Sequence, residues 1–310
     1  MTTTTPRPAP RLPEPPSPAA SQSLPALTEP DRWRFGGSAI IVIGLLLVGF
    51  AAQFVGVSQV EHSRDQQLAF DDFRYQLANA TAPVGQTGTD GRLLPVGTSV
   101  AVLTIPAIGV HEVVFEGTSS DVTRQGPGHR RDTPMPGQAG ASVLYGRQAA
   151  YGAPFGSIGA LTPGDVVTTT TGLGTARYVV SDVRFTGDPV PDAIPAGGGR
   201  LTLVSASGIP FLPSTVVRVD AKLETAPLAT PQRALGYAAL GEEELTMAGN
   251  GSVWPFLVIG LIGLFALIAL FAVSLRFWGR RQTLVVAVPV VLVVGLFAAE
   301  QFTLLLPNLM

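Results

Sequence analysis

The stretch Leu201-Thr202-Leu203-Val204-Ser205-Ala206-Ser207 decides the fold of this 310-residue chain. Apolar and β-branched residues followed by small polar ones predict a buried β-strand that runs into a loop. The strand lies near the end of the only segment whose composition suits a soluble domain. Its neighbours along the chain therefore determine what kind of domain that is.

Short runs of the same texture surround this strand and are separated by Gly and Pro residues. They predict strands at residues 100–105, 113–115, 142–145, 165–170, 177–185, 201–205 and 215–223. About seven or eight short strands with this punctuation are typical of a closed or partly closed all-β barrel, which we place at residues 99–223. The strand–helix alternation of nucleotide-binding α/β folds does not occur in this sequence.

The composition excludes several kinds of function. The chain has no cysteine, which rules out disulfides, thiolate metal sites and a cysteine nucleophile. His62, His111 and His129 are its three histidines, and no clear metal-ligand spacing involves His111 or His129. A net charge of −2 does not indicate the excess of basic residues that is typical of nucleic-acid-binding proteins. We expect no metal, no cofactor and no nucleic-acid partner.

The positive mean hydropathy and the low charged fraction predict membrane spans in addition to the barrel. Three apolar runs are long enough to be transmembrane helices, at residues 38–59, 252–275 and 283–306. The other predicted segments are a disordered Pro-rich tail (1–37), a juxtamembrane helix and loop (60–98), a solvated linker (224–251) and a short loop (276–282).

Arginines beside the apolar runs predict how the chain crosses the membrane. Arg32 and Arg34 precede the first run, and Arg276, Arg280 and Arg281 follow the second. The positive-inside rule puts both groups in the cytoplasm, which agrees with three spans. We therefore expect a multi-pass plasma-membrane protein with a cytoplasmic N-terminus and the β domain on the outer face.

A series of short motifs lies in a particular order along the β domain. They are Leu-Thr-Ile-Pro-Ala-Ile-Gly-Val (103–110), Val-Phe-Glu-Gly-Thr (114–118), Gly-Pro-Gly-His (126–129), Thr-Pro-Met-Pro-Gly (133–137), Val-Leu-Tyr-Gly-Arg-Gln (143–148), Tyr-Gly-Ala-Pro-Phe (151–155), Leu-Thr-Pro-Gly-Asp (161–165) and Leu-Thr-Leu-Val-Ser-Ala (201–206). Over residues 99–222 this order resembles the sortases, membrane-anchored transpeptidases of Gram-positive bacteria, and is most similar to the class E type.

The resemblance implies three catalytic side chains, and this chain lacks all of them. A sortase uses a Cys nucleophile, a His general acid and an Arg that stabilises the oxyanion. The matching positions here hold Ala206, Arg147 and Ser214, with Thr215 the alternative for the last. Arg218 matches a later Arg of the same run, so its side chain is expected to face away from the site. The pattern is typical of a pseudoenzyme.

We therefore predict a catalytically degenerate, sortase-like membrane protein with a non-catalytic binding or scaffolding role in a cell-envelope complex. The expected partners are membrane proteins that contact the second and third spans, and a peptide or cell-wall ligand in the former cleft. Candidate ligand-binding residues in that cleft are His129, Arg130, Arg147, Ser205, Ser207 and Arg218.

Two alternatives stay open from the sequence. In the first, the chain is an atypical transpeptidase or hydrolase of cell-surface proteins, with Ser205 or Ser207 as nucleophile and His129 as base. In the second, it is a purely structural subunit with a filled cleft. Arg130, Arg131 and Arg147 make the cleft electropositive, or they form a solvated surface.

Overall fold

A computed structural model describes Gly49, residues 56–278 and residues 280–310. The predicted tail and most of the first predicted span lie outside these residues. Within them, the soluble domain is a closed eight-stranded barrel in the order β1-β2-β3-β4-β7-β8-β6-β5. The strands are β1 Ser99–Ile105, β2 Val110–Glu116, β3 Gly128–His129, β4 Gly140–Tyr145, β5 Val166–Thr171, β6 Gly174–Arg184, β7 Gly199–Ile209 and β8 Leu212–Leu223. The predicted barrel is confirmed, and it is closed.

Most neighbouring strands are antiparallel, but two pairs are parallel, β2 with β3 and β4 with β7. The β4–β7 pair matters most for the site. Residues that follow two parallel strands leave the sheet at the same edge. The loop after Tyr145 and the end of β7 beyond Val204, which face each other in the register, therefore come together.

The barrel interior explains the alternation of apolar residues in the stretch 201–207, which lies in β7. Leu201 and Leu203 are fully buried and lie opposite Ala221 and Val219 on the inner face. Burying a leucine side chain stabilises the fold by about 1.5–3 kcal/mol. Val204 and Ala206 are also buried although they alternate to the outer face. Another part of the chain must therefore cover the outside of β7 at this end.

The helix α1 (Ser58–Ala78) lies across the outside of β1 and β2. Phe73 is fully buried there, and Phe70 and Leu77 pack against the same cluster. Gln66 ties the helix to the sheet, because its Oε1 accepts from the Val113 amide at 2.7 Å. A second, one-turn helix, α2 (Ser120–Thr123), follows β2.

Two long apolar helices follow the barrel, α3 (Trp254–Phe277) and α4 (Arg280–Leu305), and they pack against each other. In the described part of the chain, two segments are long and apolar enough to cross a membrane, Gly251–Ser274 and Arg281–Leu305. These two agree with the second and third predicted spans. The first predicted span, at residues 38–59, lies almost wholly outside the described residues and stays a prediction.

The chain does not end in the last apolar helix. After Leu305 it turns back onto the barrel, and Asn308, Leu309 and Met310 are all buried. The Asn308 amide donates to the Ala248 carbonyl at 2.8 Å, in the stretch that precedes α3. We call residues 306–310 the C-terminal segment. It is what covers the outer face of β7.

Candidate functional site

The fold brings the three positions that the resemblance predicts to be catalytic to one edge of the barrel. Arg147 lies in the loop just after β4, and Ala206 lies near the end of β7, the parallel neighbour of β4. The next strand, β8, is antiparallel to β7 and pairs Val216 with Ala206. Ser214 is two residues from Val216 on that strand. The spatial relation implied by the resemblance is therefore preserved, although the side chains have changed.

Ala206 is sealed from solvent at the position where a nucleophile is expected. It is 1% exposed and belongs to an apolar cluster with Tyr145, Val204 and Leu309. Leu309 comes from the C-terminal segment and is completely buried. The wall of the former cleft and the end of the chain thus form one small hydrophobic core.

Arg147 is also completely buried, although arginine is almost always at least partly exposed. Its Nη1 donates to the main-chain oxygen of Met310 at 3.2 Å, and its Nη2 donates to the Ser120 carbonyl at 3.1 Å. Its guanidinium also lies 5.2 Å from the centre of the Tyr151 ring. Arg147 therefore connects the C-terminal segment to the loop that holds α2.

The charge of Arg147 is poorly compensated. Burial lowers the pKa of its guanidinium to about 10, with attraction from Tyr151 and Asp121 opposing the shift and repulsion from Arg124 adding to it. No carboxylate forms an ion pair with Arg147 in the described part of the chain. Arg124, the nearby second cation, pairs with Glu300 of α4 at 3.3 Å. At neutral pH Arg147 remains a buried cation.

The C-terminal segment is held on both sides by main-chain groups. The Gln148 amide donates to the Leu309 carbonyl at 2.9 Å, and the Ser120 hydroxyl donates to the Leu306 carbonyl at 2.9 Å. The Asn308 side chain is fully buried and donates to the carbonyls of Thr118 and Leu245, at 2.6 and 2.9 Å. These contacts fill the groove between β7, the loop after β4 and the stretch before α3.

The loop that carries Arg147 is tied to the last apolar helix. The hydroxyls of Tyr151 and Thr303 lie 2.8 Å apart and are hydrogen-bonded. Tyr151 has a φ of 50° and Gly152 a φ of 77°, both in the left-handed region. A side chain at Gly152 would collide with the His62 ring of α1. The loop that carries Arg147 is therefore held between α1 and α4.

The pairing register of β7 and β8 determines on which face of the sheet the remaining predicted site residues lie. Arg218 lies opposite Val204, so it is on the same sheet face as Ala206, and its side chain is half-buried. The sequence suggested the opposite face for Arg218. Ser214 is exposed, and Thr215 pairs with Ser207.

The two candidate serines differ in their surroundings. Ser205 alternates to the inner face opposite Val217, is fully buried, and donates its hydroxyl to the Gly146 carbonyl at 2.9 Å. Ser207 is half-buried near the end of β7. In the part of the chain that the structure describes, no histidine is hydrogen-bonded to either serine.

His129 and Arg130 form a separate polar cluster around β3. His129 is fully buried, with Nδ1 2.8 Å from Glu116 Oε2 and Nε2 3.0 Å from the Pro134 carbonyl. Burial opposes the charged imidazole, but the attraction and hydrogen bond of Glu116 outweigh it and raise the pKa of His129. Arg130 makes a bidentate pair with Asp132 at 2.6 and 3.0 Å. These groups are therefore occupied with one another.

Sequence reasoning missed the residues that close the site. Tyr145 forms its floor, and its hydroxyl is hydrogen-bonded to Thr246 in the stretch before α3. Glu244, in the predicted solvated linker, is buried and lies 3.7 Å from Arg131. Pro307 signals the end of the last helix, but no local pattern indicates where the residues after it dock.

No group of three His, Asp or Glu side chains among the described residues is arranged to hold a metal ion. The described groups around Ala206 offer hydrogen bonding, apolar contact and the positive charge of Arg147.

Comparison with known proteins gives one family-model match, over about a third of the chain. Residues 103–207 match the family model described as a sortase domain. Among curated proteins, no relative matches the chain.

Several solved structures are similar to about half of the chain. A sortase D transpeptidase from Clostridium perfringens is 21% identical, with 52% of this chain and 99% of that one covered and a TM-score of 0.42. A sortase F from Corynebacterium diphtheriae is also 21% identical, with 48% of this chain and 95% of that one covered and a TM-score of 0.38. Sortase A from the same organism is 15% identical, with 55% of this chain and 93% of that one covered and a TM-score of 0.37.

The match over residues 103–207 contains the motif series, the β4 loop and the end of β7. The β-barrel domain of this chain is therefore similar to a sortase domain.

Proposed function

We propose that this chain is a catalytically vacant sortase that serves as a non-catalytic binding or scaffolding subunit of a cell-envelope membrane complex. One observation carries the proposal. The nucleophile position is Ala206, and it is packed in one buried cluster with Leu309 of the chain's own C-terminal segment. A substrate carbonyl has neither a nucleophile nor room at this point.

The chemistry of covalent transfer is missing at each step. A methyl group cannot attack a carbonyl, so no thioester or ester forms at Ala206. A general acid must exchange a proton near the working pH, and the pKa of Arg147, at about 10, is too high for that. Its two hydrogen bonds to Met310 and Ser120 oxygens give it a structural task instead.

The geometry gives the serine alternative little support. A serine nucleophile needs a base that accepts its proton. The Ser205 hydroxyl already donates to Gly146 on the inner face, and His129 is engaged by Glu116 and Pro134. Both candidate partners are thus committed to other groups.

The membrane part of the proposal is a multi-pass protein with the barrel on the outer face. The helices α3 and α4 are long and apolar enough to serve as spans, and the arginines between them suit the cytoplasmic side. Large apolar side chains remain exposed along both helices, such as Phe265 and Val285. Lipid and helices of a partner protein would cover them.

A cleavage assay tests the catalytic half of the proposal. The purified full-length chain is incubated with an LPxTG-like peptide and hydroxylamine as acceptor, and products are read by mass spectrometry. We expect no product from the wild type, and none from Ala206→Cys, because Leu309 still covers position 206. Product from the wild type would overturn the proposal. Its loss in Ser205→Ala or Ser207→Ala would then support the serine enzyme.

Co-purification tests the complex. The chain is extracted from native membranes in mild detergent, and associated proteins are identified by mass spectrometry against an untagged control. We expect a membrane protein to be retained in stoichiometric amount. Recovery of the chain alone would contradict the scaffolding role.

A further inference from the structure

The first observation is an exposed apolar tip on the hairpin formed by β7 and β8. Ile209 and Leu212 are cross-strand partners at the ends of the two strands, and their side chains are 68% and 73% exposed. Pro210 and Phe211 form the turn between them. The stretch 201–217 contains no charged residue. Such a tip is more stable against an apolar medium than in water.

The second observation is the backbone of this turn. Phe211 has a φ of 63°, in the left-handed region where glycine or asparagine is usual and a bulky side chain is uncommon. A large aromatic side chain is therefore kept at the tip against the local backbone preference, and strain of this kind is concentrated at functional sites. Pro210 and Pro213 have no backbone N–H. The tip thus presents few unpaired donors, which an apolar medium requires.

The third observation is that the hairpin begins beside the barrel-side ends of α3 and α4. Gln148 connects the two, because its backbone amide donates to the Leu309 carbonyl at 2.9 Å and its side chain donates to the Gly208 carbonyl at 2.8 Å. Leu309 lies four residues beyond the end of α4. The Asn250 amide donates to the Leu304 carbonyl at 2.9 Å, so the stretch before α3 lies at the same level.

The direction of the strands takes the hairpin towards these helix ends. β4 and β7 are parallel neighbours, and the chain that continues β4 leads to Tyr151, whose hydroxyl is hydrogen-bonded to Thr303 of α4. β7 runs past Val204 in the same direction and continues into the hairpin. Trp254, in the first turn of α3, is 58% exposed, and tryptophan at the end of a span is typical of the boundary between lipid and water. The hairpin tip and this boundary therefore lie on the same side of the barrel.

We propose that residues 209–212, the tip of the β7–β8 hairpin, form a membrane-docking surface that enters the outer leaflet of the bilayer beside α3 and α4. This inference rests on the membrane half of the proposed function, because it requires that α3 and α4 cross a bilayer. The four side chains offer apolar area and no hydrogen-bonding group, which suits lipid acyl chains. A docked hairpin holds the barrel against the membrane at a second point, besides the chain connections through the helices.

Lipid quenching of a fluorophore tests this proposal in the full-length chain. The chain has no cysteine, so Leu212→Cys, Lys222→Cys and Phe256→Cys each carry one thiol, which is labelled with the environment-sensitive fluorophore NBD. Each protein is reconstituted into nanodiscs of phosphatidylcholine and phosphatidylglycerol. The nanodiscs are prepared with and without a lipid that carries a nitroxide quencher near the headgroup end of its acyl chain. Circular dichroism verifies the barrel in each variant.

The two reference positions bracket the tip. Lys222 is exposed on the same strand as Leu212 but about 33 Å further along it. Phe256 is exposed in the first turn of α3 and reports whether that helix is in the bilayer. We expect lipid quenching at position 212 at least about threefold greater than at position 222, because the interfacial depth of the tip is not shared by the far end of the strand.

A charge at the tip should undo the docking. Adding Ile209→Asp to Leu212→Cys should lower lipid quenching to the level at position 222, because a carboxylate is costly to place among acyl chains. Val84→Asp is the matched control, since Val84 is exposed and lies beside Gln138, ahead of β4 at the other end of that strand. It should leave quenching at position 212 unchanged.

The outcomes separate this proposal from the proposed function. Quenching at position 212 no greater than at position 222, with Phe256→Cys quenched, would overturn the docking surface and leave the membrane half of the proposed function intact. Quenching that survives Ile209→Asp would also overturn it. So would a label at position 212 that is shielded from aqueous iodide as well as from the lipid quencher, because a protein partner would then cover the tip. An unquenched Phe256→Cys would contradict the membrane half of the proposed function, and the docking surface with it.

Discussion

Asn308→Asp is the substitution that most sharply tests whether the C-terminal segment is docked. It changes one atom in a side chain that is fully buried, so shape is conserved and only the hydrogen bonding changes. The Asn308 amide donates to the carbonyls of Thr118 and Leu245. An ionised aspartate cannot donate to either carbonyl and repels both.

The free energy lost by the docked segment depends on whether the buried aspartate becomes protonated or stays ionised, and the less costly of these two responses sets it. If the aspartate protonates, raising its pKa from about 3.9 to above 7 costs about 1.4 kcal/mol per unit, or about 4 kcal/mol. The protonated group has one O–H donor, so one of the two carbonyls still loses its partner, at about 1–3 kcal/mol. If the aspartate stays ionised, two carbonyls are unpaired and a charge is buried. We expect the docked segment to lose at least about 4 kcal/mol, or about a thousandfold in population.

Hydrogen exchange read by mass spectrometry measures this loss. The Asn308 amide donates to Ala248 and the Gln148 amide donates to Leu309, so both are protected while the segment is docked. In Asn308→Asp at pH 7 we expect protection at residues 306–310 and at Gln148 to fall by about a thousandfold, or to the unprotected limit. The effect shrinks as pH is lowered towards 4, because the aspartate is then protonated at less cost.

Asn79→Asp is the matched control, since Asn79 is exposed at the end of α1 and bonds only within its own turn. It should leave exchange at residues 306–310 unchanged. Protection in Asn308→Asp within threefold of the wild type would refute the reasoning, because a docked Asn308 cannot be replaced by a buried carboxylate at no cost.

The pH dependence of stability gives a second prediction. The pKa of His129 is higher in the folded than in the unfolded protein. His129 therefore contributes its full stabilisation below its unfolded pKa of about 6.5, and this contribution is lost as pH rises through the folded pKa. The thermal midpoint in detergent should fall as pH rises over this window. His129→Gln should abolish this dependence of the midpoint on pH, whereas His111→Gln, at an exposed histidine, should keep it. An unchanged pH dependence in His129→Gln would contradict the role of His129. For the barrel core, Leu203→Ala removes a fully buried side chain of β7 and should cost about 2–5 kcal/mol of unfolding free energy by chemical denaturation. Leu212→Ala, at an exposed position of β8, should cost under about 0.5 kcal/mol, and equal losses would show that the register is wrong.

Much of the fold could be predicted because its signals are local. Short β-branched runs ended by Gly and Pro mark strands wherever they occur, and the motif order along residues 103–206 predicts the similarity to a sortase domain. The residues at the positions that the resemblance predicts to be catalytic are equally local, because Ala206 and Arg147 are read directly from the sequence. The absence of cysteine excludes thiol chemistry without any structure.

The occupant of the site could not be predicted, since its contacts join residues far apart in sequence. Asn308 bonds to Thr118, 190 residues away, and Arg147 bonds to Met310, 163 residues away. Only the folded chain brings these groups together. The direction of Arg218 depends similarly on the β7–β8 register, which shifts at a bulge between Ser207 and Gly208.

Cysteine labelling at position 309 tests the central claim most directly, namely that residues 306–310 fill the site around Ala206. The chain has no cysteine, so Leu309→Cys and Val190→Cys each carry a single thiol. Leu309 is fully buried and Val190 is 87% exposed, so the pair compares the docked segment with an open loop. An opening free energy of about 3 kcal/mol slows maleimide labelling by about 100-fold. We predict at least that difference under native conditions and equal labelling after denaturation, whereas equal rates in the native protein would contradict a filled site.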